Sequence, residues 1–143
     1  MIDLPTQTVL IVGVGGASSE VSKLCAAFGM RVLRADSQVT DPPIGMAELF
    51  TPDRLEERLG AANFVIVTTP ETPETLGIFN ARLFSRMKRG TYFINIARGR
   101  CVVTADLIAA LRSRPARRRG TRRGRPRAAA FRLVVSYAAR HRD

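Results

Sequence analysis

The sequence predicts an α/β fold: a parallel sheet, doubly wound, with helices on both faces. Three observations predict it. Short apolar, β-branched runs alternate with segments of helical periodicity through residue 111. The runs are continuously apolar, as strands buried on both faces are. A glycine-rich turn separates the first run from the first helical segment. No internal repeat interrupts the alternation.

The elements follow in order. Thr8-Val9-Leu10-Ile11-Val12 reads as a buried strand, and Gly13-Val14-Gly15-Gly16-Ala17-Ser18 as the turn after it. Val21, Leu24, Cys25 and Phe28 recur at helical spacing, and Gly29 is placed to end that helix. Arg31 to Ala35 makes a second strand, closed by Asp36. Residues 37–47 are rich in Ser, Thr, Asp, Pro and Gly and read as a loop. Thr51-Pro52-Asp53 is a helix start, with a capping hydroxyl, a proline and an acid in order. Gly60 stops that helix. Asn63 to Thr69 is a third strand, broken by Pro70-Glu71-Thr72-Pro73. Asn80 caps a short helix bearing Leu83, Phe84 and Met87, and Gly90 ends it. Thr91 to Ile96 is a fourth strand. Thr104 caps a last helix with Leu107, Ile108 and Leu111 on one face and Asp106 in its first turn.

Length and composition set bounds. At 143 residues and 45% apolar, the chain fits one domain with a single core. The net charge of +11 is unevenly placed: residues 1–111 carry 11 basic and 11 acidic side chains, whereas residues 112–143 carry 12 arginines and one acid, Asp143. The charge excess therefore belongs to a tail and says nothing of the domain before it. No run approaches the roughly 20 apolar residues that cross a bilayer. Met1-Ile2-Asp3-Leu4 lacks a basic stretch before an apolar one, so no signal peptide and a cytoplasmic location are expected. Cys25 and Cys101 make no metal spacing and read as reduced thiols; with His141 the single histidine, no metal site is expected.

The glycine turn carries the first chemical signal. In Gly13-x-Gly15-x-x-Ser18, the first glycine permits the tight turn and the second lets backbone approach a pyrophosphate. The helix N-terminus behind them offers unbonded N–H groups and a positive dipole end. Ser18 stands where a third glycine is usual. Its β-carbon costs modest packing energy, and its hydroxyl is expected to face the phosphate. Asp36 closes the next strand, where a carboxylate accepts the ribose hydroxyls of NAD and repels the extra phosphate of NADP. Arg34, two residues earlier on the same strand face, leaves NADP as the lesser cofactor. Strand, turn, helix and acid together predict a Rossmann-like, dinucleotide-binding sheet.

Longer motifs then align in order. Val12-Gly13-Val14-Gly15-Gly16, Ala27-Phe28-Gly29-Met30-Arg31-Val32, Thr72-Pro73-Glu74-Thr75-Leu76-Gly77, Met87-Lys88-Arg89-Gly90 and Asn95-Ile96-Ala97-Arg98-Gly99 resemble the D-isomer-specific 2-hydroxyacid dehydrogenases, over roughly residues 4–112. The resemblance implies an NAD(P)-binding domain over residues 1–112, incomplete, and hydride transfer between nicotinamide and a small 2-oxo or 2-hydroxy acid. It implies pyrophosphate contacts at Gly16 and Ala17 and a ribose acid at Asp36. Thr69 and Pro70 would lie along the adenosine side, with a further contact at Thr75. Ile96, Ala97 and Arg98 would sit beside the nicotinamide, and Arg98 would be the substrate arginine. A guanidinium suits that role because it pairs with carboxylate and carbonyl oxygens in a fork and stabilises charge developing on them. Relatives commonly form homodimers through this domain.

The chain departs from the family pattern at two places. Val103 stands where many relatives have aspartate. The family's downstream glutamate and histidine, the latter the general acid, have no counterpart in residues 113–143, which contain no Glu and only His141 in unrelated context. This predicts weak turnover or none, with a non-catalytic NAD-binding module as the alternative. Residues 113–143 read as an Arg-rich tail, disordered or the product of a shifted reading frame. A basic arm binding nucleic acid non-specifically through phosphates is the remaining reading. Translating the other frames beyond Leu111 tests the shift.

Overall fold

The computed structural model describes residues 2–38, 41–112 and the backbone of 131–135. Its sheet has six parallel strands in the order β3-β2-β1-β4-β5-β6. The strands are β1 (Thr8–Val12), β2 (Arg31–Ala35), β3 (Glu48–Phe50), β4 (Phe64–Val67), β5 (Thr91–Asn95) and β6 (Phe131–Val135). The helices are α1 (Gly16–Ala27), α2 (Leu55–Arg58), α3 (Ala81–Arg86) and α4 (Thr104–Arg112). The chain runs outward from β1 through β2 to β3, then returns to β4 on the other side of β1. That reversal opens a crevice at the carboxyl ends of β1 and β4, where open α/β sheets bind ligands.

Alternation along β1 separates two cores. Leu10 and Val12 face a cluster with Leu33, Phe50, Leu55, Leu59, Val65, Val67, Phe79, Phe84, Phe93 and Leu107, under α2, α3 and α4. Val9 and Ile11 face Met30, Val32, Val21, Cys25 and Ala26, under α1. Phe93 anchors the larger core, its ring centroid 5.1 Å from Phe79 and 5.4 Å from Phe84. Aromatic packing at such separations adds to area burial. The helix starts are tied to neighbours. Asn80 Oδ1 accepts from Arg82 and Leu83 N–H, and Asp106 Oδ2 accepts from Ala81 N–H at 2.9 Å. Asp106 of α4 thereby satisfies a terminal donor of α3.

Four sequence expectations are corrected. Glu48–Phe50 adds an edge strand where none was read, and it pairs only Leu33 to Ala35. The helix begun at Thr51 is one short α-turn flanked by 3-10 turns, Pro52–Arg54 and Leu59–Ala61, and the Thr51 side chain makes no capping bond. On α1 the buried side chains are Ser18 and Ser22, whereas Leu24 and Phe28 are exposed. Small residues let this helix approach the strands closely; Val21 and Cys25 of the expected stripe pack on the smaller core, whereas Leu24 and Phe28 fall outside it. Finally, Phe131–Val135 lies within the segment read as a structureless tail, yet its backbone pairs in register along β5 from Thr91 to Asn95. Its backbone satisfies N–H and C=O groups that β5 would otherwise leave open. Residues 113–130 and 136–143, with His141, lie outside the described residues.

Candidate functional site

The site is built first from backbone. Gly13 has φ +150°, and its N–H donates to Ala35 O at 3.1 Å. A Cβ on Gly13 would overlap Thr68 Oγ1 and stand 2.9 Å from the Thr68 carbonyl carbon and the Thr69 nitrogen. The turn therefore presses against the exit of β4. Gly15 differs: φ is +91°, and beyond its chain neighbours no described atom lies within 4 Å of its Cβ position; the Gly16 position is likewise clear of atoms outside its own helix. Space above the turn is open. Helical bonding begins when Ser19 N–H donates to Gly15 O at 3.2 Å. The N–H groups of Gly16, Ala17 and Ser18 have no acceptor among the described residues, which suits an anion at a helix N-terminus.

Ser18 corrects a sequence expectation. Its side chain is fully buried, and its Oγ lies 2.8 Å from Thr68 Oγ1, which in turn donates to Val12 O at 3.2 Å. The hydroxyl faces the β4 exit, where the half-buried Thr68 hydroxyl offers it a partner. Only the main chain of Ser18 remains to meet a ligand.

Asp36 leaves β2 beside this turn, its side chain 9% exposed. Oδ1 accepts from Gln38 N–H at 2.8 Å, and Oδ2 accepts from Arg34 Nη2 at 2.6 Å. Arg34 is equally buried. Its Nη1 donates to Ser19 Oγ at 3.0 Å and its Nε to Gly13 O at 3.3 Å. One guanidinium thus joins Asp36, the glycine turn and the first turn of α1. The sequence places Arg34 on this face but does not show its three acceptors, which come from separate elements.

Across the crevice lie the exits of β4 and β5. Thr69 is buried, its hydroxyl donating to the Cys101 thiol at 3.6 Å, while Pro70 is exposed. Thr75 ties the following loop: its hydroxyl donates to Pro70 O at 2.6 Å and accepts from Thr72 N–H at 2.8 Å. Ile96 N–H donates to Val67 O at 3.1 Å, joining the two exits, and the Ile96 side chain is exposed. Ala97 packs against the larger core. Asn95, which the sequence reading does not single out, shapes the turn that carries Arg98. Its Oδ1 accepts from Ala97 N–H at 3.0 Å, and its Nδ2 donates to Arg98 O at 3.3 Å. An amide ending a strand before a turn is the signal that could have found it. Arg98 is exposed, and its guanidinium has no ion pair or hydrogen bond among the described residues. The nearby Arg100 instead pairs with Glu71 at 3.0 Å. Away from the crevice, burial raises the pKa of the Cys25 thiol on α1.

Glycine turn, carboxylate and arginine thus converge on one end of the sheet. The family model for the NAD-binding domain of D-isomer-specific 2-hydroxyacid dehydrogenases matches residues 1–121. The chain belongs to that family. Among curated relatives, it is 36% identical over 107 residues to D-3-phosphoglycerate dehydrogenase of Dictyostelium discoideum, covering 75% of this chain and 26% of that protein. It is 33% identical over 108 residues to a D-lactate dehydrogenase of Streptococcus agalactiae, covering 76% of this chain and 32% of that one. A Xanthobacter autotrophicus family member solved with NADPH superposes with a TM-score of 0.72 at 32% identity, over 78% of this chain and 35% of the other. Aquifex aeolicus D-lactate dehydrogenase, solved with NAD and lactic acid, gives 0.69 at 33% identity, over 76% and 32%. The chain therefore spans about a quarter to a third of its relatives' length. What it shares with these dehydrogenases is their NAD-binding domain. No helix among the described residues is long and apolar enough to cross a membrane.

Proposed function

We propose that this 2-hydroxyacid dehydrogenase domain binds NAD along the carboxyl ends of its strands and presents Arg98 to a small 2-oxo or 2-hydroxy acid. The observation that carries the reading is the open glycine turn at the reversal between β1 and β4, with Asp36 at the adjoining strand end. The residues suit the cofactor. Main-chain N–H groups of Gly16, Ala17 and Ser18 would meet the pyrophosphate, Asp36 the ribose hydroxyls, and Pro70 the adenosine side. Thr69 and Thr75 would act by shaping the loop, since their hydroxyls are engaged within the protein. Ile96 and Ala97 would flank the nicotinamide. When bound, NAD supplies the hydride carrier.

Arg98 would do the substrate work. Its guanidinium is exposed and free of carboxylates among the described residues, so it can form a fork with a substrate carboxylate and stabilise negative charge on the adjacent oxygen. The turn fixed by Asn95 holds its backbone at both ends. Proton delivery is another matter. The family's glutamate–histidine pair has no match in residues 113–143, and the single histidine is His141. That observation favours a second reading, a binding module without turnover of its own.

Calorimetric titration with NADH tests the binding. Saturable one-to-one binding that Asp36→Ala weakens supports it; no binding overturns it. Following NADH absorbance with glyoxylate, pyruvate and hydroxypyruvate tests the chemistry. Weak or no turnover is expected, and turnover equal to a full-length relative's would overturn that part.

A further inference from the structure

Two arginines leave the turn after β5, and they are not in the same state. Arg98 opens the 3-10 turn Gly99–Cys101, and Arg100 lies within it. Cys101 N–H donates to Arg98 O at 3.1 Å, folding the turn back on the residue that opens it. The Arg98 guanidinium has no ion pair or hydrogen bond among the described residues. Arg100 Nη1 donates to Glu71 Oε1 at 3.0 Å. The Arg100 side chain is 71% exposed and that of Glu71 29%.

Glu71 is kept beside this turn by more than its ion pair. The loop that it begins is tied to the turn through main chain: Gly77 N–H donates to Arg100 O at 2.9 Å, Phe79 N–H to Cys101 O at 3.1 Å, and Val103 N–H to Phe79 O at 2.9 Å. Just before Glu71, the Thr69 hydroxyl donates to the Cys101 thiol. None of these bonds uses a charge, so the two segments stay together when Glu71 or Arg100 is changed. An ion pair so exposed adds little to stability. Its weight lies in the charge it cancels, because neighbours closer than the Debye length, about 10 Å at 0.1 M salt, feel any charge left unpaired.

A 2-oxo acid with one carboxylate brings one negative charge and needs one free guanidinium. A dicarboxylic or phosphorylated acid brings more. With Glu71 cancelling Arg100, the turn presents a single net positive charge, at Arg98. We infer that Glu71 and Arg100 form a specificity-determining pair, which holds the charge of the arginine turn at one and so selects monoanionic 2-oxo acids over dianionic ones. Both residues act on the acid through the charge beside Arg98. The inference rests on the reading of Arg98 as the substrate arginine and adds the charge class of the acid to it.

The test is calorimetric titration of the NADH-loaded full chain with two acids that have no ketone to reduce: oxamate, a monoanion, and oxalate, a dianion. The wild type is expected to bind oxamate at least about fivefold more tightly than oxalate. Arg100→Gln leaves the Glu71 carboxylate to compete for Arg98 and should weaken oxamate about fivefold or more. Glu71→Gln releases Arg100 and should tighten oxalate about fivefold or more, and oxamate by less. The double variant returns the turn to one positive charge, so its oxamate affinity should lie within about twofold of wild type. All three variants keep the main-chain ties and are expected to melt within about 3 °C of wild type. A pair that merely tethers the two segments would leave the double variant as weak as Arg100→Gln, and that result overturns the inference. So does a wild type that binds oxalate as tightly as oxamate. A wild type that takes up NADH yet binds neither acid would instead overturn the reading of Arg98, and the inference with it.

Discussion

Gly13 lies against Thr68 so closely that a methyl group on it would overlap the threonine hydroxyl and press on the main chain of Thr68 and Thr69. Gly15, two residues on, has the same kind of positive φ but open space beside it. The two glycines therefore do different work. Gly13 lets two strand exits touch; Gly15 leaves room for a ligand.

Their alanine variants should separate stability from binding. Gly13→Ala must move backbone and also strain a left-handed residue, a cost of about 3 kcal/mol or more. That corresponds to a fall in Tm of roughly 10 °C. Gly15→Ala bears only the conformational cost, about 1–2 kcal/mol, yet its methyl group enters the open space in which the proposed pyrophosphate site lies. Thermal denaturation should rank Gly13→Ala well below Gly15→Ala, and NADH titration should find Gly15→Ala at least tenfold weakened. Equal melting temperatures would contradict the assignment.

Ser18→Ala probes the inward hydroxyl. It removes one buried hydrogen bond, and Thr68 keeps Val12 O as its acceptor. A loss of about 1 kcal/mol is expected. NADH affinity should change less than about threefold, because the hydroxyl is turned to Thr68 and away from the proposed phosphate site. A tenfold loss of affinity without a stability change would put the hydroxyl on the ligand after all.

Why the inward turn of the Ser18 hydroxyl was not legible, whereas the strand-end positions of Asp36 and Arg98 were, follows from what a linear pattern carries. β1, β2, β4 and β5 are runs of four or five residues rich in apolar side chains, and the signals that bound them are local. The glycine turn, Asp36 and Arg98 each sit at a fixed offset from such a run, so their placement was legible too. β3 was not, since three residues, Glu48-Leu49-Phe50, hold no period. Nor was the buried face of α1. Leu24 and Phe28 lie on the helical stripe, but Ser18 and Ser22 win the interface, Ser22 Oγ donating to Ser18 O at 2.7 Å within it. Arg34 and Asn95 owe their roles to acceptors and donors brought by other segments or by a turn geometry, which residue type alone does not reveal.

Arg98→Gln should leave the fold alone. The side chain is exposed and unpaired among the described residues, so Tm is expected to stay within about 1 °C, with NADH binding little changed. Binding of glyoxylate or pyruvate to the NADH-loaded chain should fall by about tenfold or more, the loss of one charge-assisted fork. Asn95→Ala offers the contrast. It strips both amide contacts from a turn where Asn95 is 7% exposed, and should cost about 2 kcal/mol as well as weakening the acid. If Arg98→Gln retained full binding of the oxo acid, Arg98 would be a surface residue only.

The β3 edge carries a pH signature distinct from the site. Glu48 Oε1 accepts from Arg58 Nε at 2.9 Å and Nη2 at 2.7 Å, pinning β3 to α2. Those hydrogen bonds, with smaller help from the charges of Arg58, Arg54 and Arg31, hold the Glu48 carboxyl below its ordinary value of 4.5. A carboxyl whose folded pKa is depressed contributes stability above its unfolded value and loses it as pH falls through the folded one. Glu48→Gln keeps the shape but not the charge. The gap in Tm between wild type and Glu48→Gln should therefore be widest at neutral pH and narrow steadily as pH drops below 4.5. Both partners are partly exposed, so added salt should shrink the gap at neutral pH as well. Differential scanning calorimetry between pH 7 and roughly pH 3 checks this. A gap that stays constant, or widens in acid, would mean that the Arg58 contact does not select the ionised form.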